Sequence, residues 1–151
     1  MLFGLAGVRV ERVVPLPDGA REVHVQTACE AAAACPSCGV VSSSAKANVT
    51  TSPRDIPYGE GRITVLWHKR RWRCREALCP RQSFTEAIGE VPTGARTTRR
   101  LRGAIAVAVG DANRAVSEVA AAFGVTWPTA HAAFVEVADR ELAAPAPTRV
   151  L

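Results

Sequence analysis

Alternation of apolar and polar positions predicts a β-rich structure for roughly the first 90 residues. Valines on both sides of the turn sequence Pro17-Asp18-Gly19 alternate with polar residues, which predicts a β-hairpin over residues 8–27. Residues 62–73 alternate again, with Ile63, Val65 and Trp67 on one face, and predict a long strand that becomes basic toward its end. Residues 42–55 are weakly patterned and fit either an irregular loop or a poorly marked strand.

The pattern becomes helical after Pro92, where alanine, the best helix former, becomes abundant. Caps and breakers then divide this part of the chain into three helices. The predicted helices run from a cap at Thr97 or Thr98 to about Val109, from Ser117 to Gly124, and from a cap at Thr126 to about Leu142.

The distribution of charge favours a polyanionic partner. The chain has 19 basic and 14 acidic residues, a net charge of +5, but fourteen of the basic residues and only six acids lie between Lys46 and Arg114. Such a concentration of positive charge is typical of nucleic-acid binding, with a solvated basic surface as the alternative. No apolar run is long enough to span a membrane, so we expect no membrane partner. We expect no small-molecule substrate either.

Five cysteines suggest a metal site. Cys35 and Cys38 form one close pair, followed by Gly39, and Cys74 and Cys79 form a second pair. Four thiolates complete a tetrahedral shell for Zn²⁺, and we expect a reducing cytoplasm because no export signal is visible. Redox or iron–sulfur chemistry and unligated buried thiols are the alternatives. Cys29 is predicted to be a packed small residue outside the site.

Two histidines, His24 and His68, fall on predicted strands beside apolar neighbours. Either one is a conceivable spare metal ligand, but a histidine satisfied within the sheet is the better interpretation. A cysteine–histidine nucleophilic pair is not expected, because no orienting group or glycine-rich elbow accompanies these residues.

Residues 116–134 fit a helix-turn-helix, with Gly124 at the turn and apolar residues at the core positions. In this geometry the first turns of the third helix enter the major groove, and a helical hairpin used for protein contacts is the alternative. The predicted base or phosphate contacts there are Thr126, Trp127, Thr129 and His131. Phosphate contacts are predicted for Lys69, Arg70, Arg71 and Arg73 on the basic strand and for Arg99, Arg100 and Arg102 on the first helix.

These features together predict an α+β protein in which a small β-rich zinc ribbon precedes a three-helix helix-turn-helix module. We expect an N-terminal β-hairpin over residues 1–28, the zinc ribbon over 29–92, the helix-turn-helix domain over 93–143 and a linker over 144–151. A structural Zn²⁺ held by Cys35, Cys38, Cys74 and Cys79 would stabilise a ribbon too small for a large core of its own.

An ordered set of short motifs resembles the N-terminal half of the IS-L-three family of bacterial insertion-sequence transposases. The resemblance covers nearly the whole chain. One departure is that many members have a histidine soon after the first cysteine pair, where this chain has residues 42–46 without histidine. The motifs are Cys35-Pro36-Ser37-Cys38-Gly39, Arg54-Asp55-Ile56-Pro57, Lys69-Arg70-Arg71-Trp72-Arg73-Cys74, Cys79-Pro80-Arg81 with Phe84-Thr85-Glu86, and Arg96-Thr97-Thr98 with Arg100-Leu101.

The resemblance implies a zinc ribbon and a helix-turn-helix, followed in the family by a catalytic domain with an acidic triad. Because the chain stops before the first of those acids, the resemblance brings DNA recognition and no enzymatic activity. We therefore expect a truncated, non-catalytic form that binds double-stranded DNA sequence-specifically at insertion-sequence ends, near the nucleoid, as a homodimer or beside a full-length transposase. A protein-interaction or transcription-regulatory module built on the ribbon is the alternative.

Overall fold

Five β-strands precede three α-helices in the computed structural model, which describes residues 4–59 and 61–143. A short 3-10 helix, Glu30–Ala33, follows the second strand. The α-helices are α1 Arg99–Gly110, α2 Val116–Phe123 and α3 Trp127–Leu142. The strands are β1 Val8–Pro15, β2 Arg21–Thr27, β3 Ala45–Thr51, β4 Ile63–Arg73 and β5 Ser83–Thr85.

The chain divides after Arg99 into two compact units. The first, here the sheet unit, contains the five strands, and the second, here the helical unit, contains nearly all of the three helices. This architecture confirms the predicted α+β class. No helix among the described residues has the length and apolar character needed to cross a membrane.

The sheet has the strand order β1-β2-β4-β3, and β5 also pairs with β4. β1 and β2 form the predicted antiparallel hairpin, in which Gly19 adopts a φ of +80° and the Asp18 carboxylate accepts a hydrogen bond from the Ala20 amide at 3.0 Å. β2 then pairs in parallel with β4, while β3 and β5 pair antiparallel with it. The weakly patterned residues 42–55 therefore contain a strand.

The parallel pairing of β2 with β4 joins the predicted hairpin and ribbon in one sheet. The predicted domains 1–28 and 29–92 accordingly share one unit in the structure, and this unit continues to Arg99. Of the predicted N-terminal hairpin domain, residues 1–3 lie outside the described residues. The predicted linker 144–151 also lies outside them.

Two small apolar clusters lie on opposite faces of the sheet. Val65 and Trp67 of β4 pack with Val23, Val25, Ile88 and Val91, as the predicted apolar face requires. Trp72, five positions beyond Trp67, packs instead with Cys35 and Phe84. Because successive strand residues point to alternate faces, β4 contributes to a core on each side. In the second cluster Trp72 and Phe84 therefore pack directly beside the cysteines.

Two predicted helix boundaries occur in the helical unit, the end of α2 at Gly124 and the cap of α3 at Thr126. Thr126 caps α3 by accepting a hydrogen bond from the Thr129 amide at 3.4 Å, and Gly124 ends α2 with a φ of +64°. Buried apolar side chains come from all three helices, namely Leu101, Ile105, Ala106, Ala108, Val119, Ala120, Ala130 and Ala133. The small residue Ala120 is fully packed, as expected where helices approach closely.

Candidate metal centre and nucleic-acid interface

Four cysteine sulfurs from two distant parts of the chain meet at one point of the sheet unit. The Sγ atoms of Cys35, Cys38, Cys74 and Cys79 all lie within 4.8 Å of one another. Cys35 and Cys79 are 3.9 Å apart and Cys38 and Cys74 are 3.6 Å apart. A tetrahedron with Zn–S bonds of about 2.3 Å has edges of roughly 3.8 Å, so this donor set fits Zn²⁺.

Tight turns present both cysteine pairs. In the first, Gly39 adopts a φ of +77°, and its amide donates to the Cys35 carbonyl at 2.8 Å. In the second, the Cys79 amide donates to the Glu76 carbonyl at 3.2 Å. The Arg81 side chain donates to the Ser37 hydroxyl at 3.0 Å and so connects the two turns.

The thiols differ in acidity. Burial raises the pKa of Cys35, but hydrogen bonds from the backbone amides of Ser37 and Cys38 outweigh it and lower that pKa to about 6. At Cys38, Cys74 and Cys79 a backbone amide also lowers the pKa, but burial and neighbouring sulfurs raise it on balance. One thiolate thus forms readily near neutral pH, and a divalent cation among the sulfurs lets the others ionise.

Cys29 lies outside the cluster, as predicted, but its predicted burial is wrong. The residue is exposed and directly precedes the 3-10 helix Glu30–Ala33. The neighbouring alanines that suggested packing are themselves half-buried or exposed, because a four-residue helix covers little surface.

The two strand histidines satisfy each other within the sheet. His24 Nδ1 and His68 Nε2 are 2.9 Å apart, their rings stack, and His68 Nδ1 lies 2.9 Å from the Thr50 hydroxyl. His24 Nε2 is 3.8 Å from a Glu22 carboxylate oxygen. Neither histidine joins the cysteine cluster, which is the only potential metal-binding group found among the described residues.

The basic side chains at the end of β4 differ in how far they are exposed to solvent. Lys69 lies over the Trp67 ring at 4.4 Å, and burial lowers its pKa, partly opposed by the Glu86 charge. Arg71 donates to the Ser83 hydroxyl at 3.0 Å and remains exposed, as does Arg73.

Arg70 is held by Glu86, an acid that sequence reasoning did not select as a partner. The Glu86 carboxylate is almost fully buried and accepts hydrogen bonds from Arg70 Nε at 2.8 Å, the Arg70 amide at 3.0 Å and Trp72 Nε1 at 3.2 Å. Glu86 therefore compensates part of the Arg70 charge, although half of the Arg70 side chain remains exposed. Glu86 does occur in one of the motifs that carry the resemblance, and this was its only sequence signal.

The three predicted arginines of α1 also differ. Arg99 is exposed, whereas Arg100 is half-buried. Arg102 Nε donates to a Glu136 carboxylate oxygen of α3 at 2.8 Å, and Glu136 also accepts from Arg140. Arg102 thus links two helices of the helical unit, and Arg99 offers the more accessible charge.

The start of α3 presents an aromatic surface to solvent. Trp127 is 51% exposed and stacks on His131, with ring centroids 4.7 Å apart. This stack follows from the helical period, which brings positions four apart together. Thr126 and Thr129 form the helix cap, with their hydroxyls 2.9 Å apart. Of the four predicted contacts, Thr126, Trp127 and His131 are exposed and Thr129 is half-buried.

Two family models match the chain. Residues 31–79 match a model described as the zinc-finger of transposase IS204/IS1001/IS1096/IS1165. Residues 86–138 match a model described as the helix-turn-helix domain of transposase family ISL3. Together the matches cover more than half of the chain. No curated protein and no solved structure matches it.

The matched regions contain the two sites described above. The first includes all four clustered cysteines and the basic end of β4, and the second includes the Gly124 turn and the start of α3. The zinc-ribbon match and the close grouping of the four sulfurs identify a structural zinc centre, since four protein thiolates leave no open position for catalysis.

Proposed function

Because the chain belongs to the ISL3 family of transposases, through its zinc ribbon and its helix-turn-helix domain, we propose that it binds insertion-sequence ends sequence-specifically. The observation that carries this proposal is the exposed Trp127–His131 stack at the start of α3, directly after the Gly124 turn. In a helix-turn-helix the first turns of the second helix of the motif, here α3, reach base edges in the major groove. Trp127 and His131 are therefore the proposed readout residues.

Phosphate contacts are assigned according to how the basic residues are paired. Arg71, Arg73 and Arg99 are exposed, which supports their contact with the DNA backbone. The buried Glu86 and the α3 residue Glu136 compensate Arg70 and Arg102, so these two arginines contribute less than the sequence predicts. Lys69 and Arg100 are half-buried, so we expect them to contribute less to phosphate binding than the exposed arginines. Thr126 and Thr129 support the readout residues by capping the helix.

We further propose that this chain binds DNA without itself cleaving or joining it. Two-metal chemistry on phosphodiesters needs several converging carboxylates. Two of the acids are engaged in other contacts: Glu86 accepts from Arg70, and Asp55 accepts from the Thr98 hydroxyl at 2.7 Å. A full-length transposase, or another copy of the chain in a homodimer, would act beside it on the DNA, in the cytoplasm at the nucleoid.

A salt series on duplex DNA tests the proposal. We expect affinity for a pool of random duplexes to fall steeply with salt, because protein cations release condensed counterions. Arg73→Ala or Arg99→Ala should weaken all binding and reduce the salt slope by about one unit. Trp127→Ala or His131→Ala should cost about 1–3 kcal/mol on a selected sequence and little on random DNA.

Arg140→Ala is the matched control, because Arg140 is an exposed arginine near the far end of α3. Arg140→Ala should leave the affinities for the selected sequence and for random duplexes unchanged. Binding that does not depend on salt, or no binding to duplex DNA, would contradict the proposal and favour the protein-interaction module. Metal-dependent nicking by the purified chain would contradict the non-catalytic assignment.

A further inference from the structure

The most exposed large apolar side chain among the described residues lies beside the zinc centre. Leu78 is 93% exposed, at the corner of the turn between Cys74 and Cys79. Apolar residues at this exposure contribute nothing to a core, so packing in the sheet unit does not explain a leucine here. Residues 75–81 form the zinc-turn tip.

The zinc-turn tip holds Leu78 in a defined position. The Leu78 amide donates to a Glu76 side-chain oxygen at 3.1 Å, and the next amide, of Cys79, donates to the Glu76 carbonyl. Cys79 is also one of the four clustered cysteines, so the bound metal anchors the residue that follows Leu78. Leu78 therefore lies on a short turn that hydrogen bonds and a cysteine of the metal centre hold in place.

Basic side chains flank the exposed leucine. Arg75 and Arg81 lie within the zinc-turn tip, Arg73 ends the preceding strand, and all three are exposed. Glu76 is the only acid in residues 73–81, and its side chain is occupied by the Leu78 amide. An exposed leucine with exposed arginines before and after it in the chain fits a ligand that is negatively charged outside and apolar within.

We propose that Leu78 is a wedge that enters the minor groove of duplex DNA and partly unstacks one base step. Its flanking arginines would contact the phosphates on either side of the groove. Architectural proteins use leucine and similar side chains in this way, kinking DNA by roughly 20–90°. This inference rests on the proposed DNA binding and adds a second function to the ribbon: bending the DNA that it contacts.

The test measures the DNA bend by energy transfer between the labelled ends of a duplex selected from a random pool by the wild-type chain. We expect the wild type to bend this duplex. Leu78→Ala should lose most of the bend, and its affinity should change by less than about tenfold, because phosphate contacts remain. Leu78→Phe should keep the bend, since a larger apolar side chain can still enter the step. Zinc content equal to that of the wild type shows that each variant keeps a folded ribbon.

Leu142→Ala is the matched control, because Leu142 is also highly exposed, at 81%, but lies at the end of α3. It should leave the bend unchanged. An unbent duplex in the wild-type complex, or an unchanged bend in Leu78→Ala, overturns the wedge while leaving DNA binding intact. The second result would point instead to a protein partner at the zinc-turn tip. Failure of the wild type to bind any duplex overturns both the wedge and the proposed function.

Discussion

The acidic residue Glu86 is only 2% exposed. A buried carboxylate is tolerated when hydrogen bonds replace its water, and here three donors from β4 do so: the Arg70 amide, its Nε and Trp72 Nε1. The Arg70 guanidinium also lies over the Trp72 ring at 4.7 Å, so one acid organises two β4 side chains. Trp72 in turn packs against Cys35, which connects Glu86 to the metal centre.

We predict that Glu86→Ala destabilises the sheet unit by about 1–3 kcal/mol, because the Trp72 indole and the Arg70 amide lose their acceptor. The Arg70–Glu86 ion pair contributes little of this loss in stability, since half of the Arg70 side chain is exposed to solvent. Denaturant unfolding of the zinc-bound protein measures the change. Glu118→Ala, which breaks an exposed pair with Arg114, is the control and should cost less than about 1 kcal/mol. Equal losses in the two variants would contradict the role given to Glu86.

The helix-turn-helix depends on one backbone conformation between α2 and α3. Gly124 adopts a φ of +64°, and its amide and that of Val125 donate to carbonyls of the last turn of α2. The left-handed conformation redirects the chain so that the α3 cap, Thr126, follows two residues later and α3 begins at Trp127. The position of Trp127 and His131 therefore depends on Gly124 as much as on their own helix.

We predict that Gly124→Ala destabilises the helical unit by about 1 kcal/mol, because the left-handed conformation is strained for an L-residue with a side chain. A Cβ atom there would meet nothing within 4 Å, so no steric clash adds to the backbone cost. Thermal unfolding followed by helical circular dichroism measures the effect.

Gly103→Ala is the matched control, because a Cβ at Gly103 in α1 also meets nothing within 4 Å and its backbone is helical. It should stabilise the helix by about 0.5–1 kcal/mol, which is the opposite sign. The same sign in both variants would show that the left-handed conformation does not determine the effect.

The two units of the molecule draw their stability from different sources. In the sheet unit the cluster around the sulfurs contains only Cys35, Trp72 and Phe84 as buried members, too few for an independent core. The metal therefore replaces apolar burial on that side of the sheet. The helical unit contains eight buried apolar side chains on its helices and no cysteine among its described residues.

We predict that removing zinc with a chelator unfolds the cysteine-bearing side of the sheet unit and leaves most of the helical signal. Tryptophan emission should shift to the red as Trp72 becomes exposed, while circular dichroism at helical wavelengths changes little. Cys74→Ser should bind no zinc and should match the chelated wild type. Cys29→Ser is the control and should keep one zinc per chain, because Cys29 lies outside the cluster. Loss of helix together with the metal, or of zinc from Cys29→Ser, would contradict this prediction.

Local rules of the sequence were enough to predict much of this protein. The Pro17-Asp18-Gly19 turn, the Thr126 cap and the left-handed Gly124 are formed by residues that interact with near neighbours, so sequence spacing predicts them. The two cysteine pairs also predicted the zinc centre, because each pair lies in a tight turn and the chemistry of four thiolates is specific. The predicted order of strands before helices followed from the change in apolar period near residue 92.

The tertiary structure alone decided the contacts between residues distant in the chain. The weakly patterned segment of β3 forms a strand because it pairs with β4. β2 is part of the same sheet through a parallel pairing with β4 that no local feature of the sequence predicts. It also decided which predicted DNA contacts are compensated, since Arg70 meets Glu86 and Arg102 meets Glu136 across 16 and 34 residues. The sequence determines which charges exist, but the net charge that each presents to DNA depends on neighbours that only folding brings within a few ångströms.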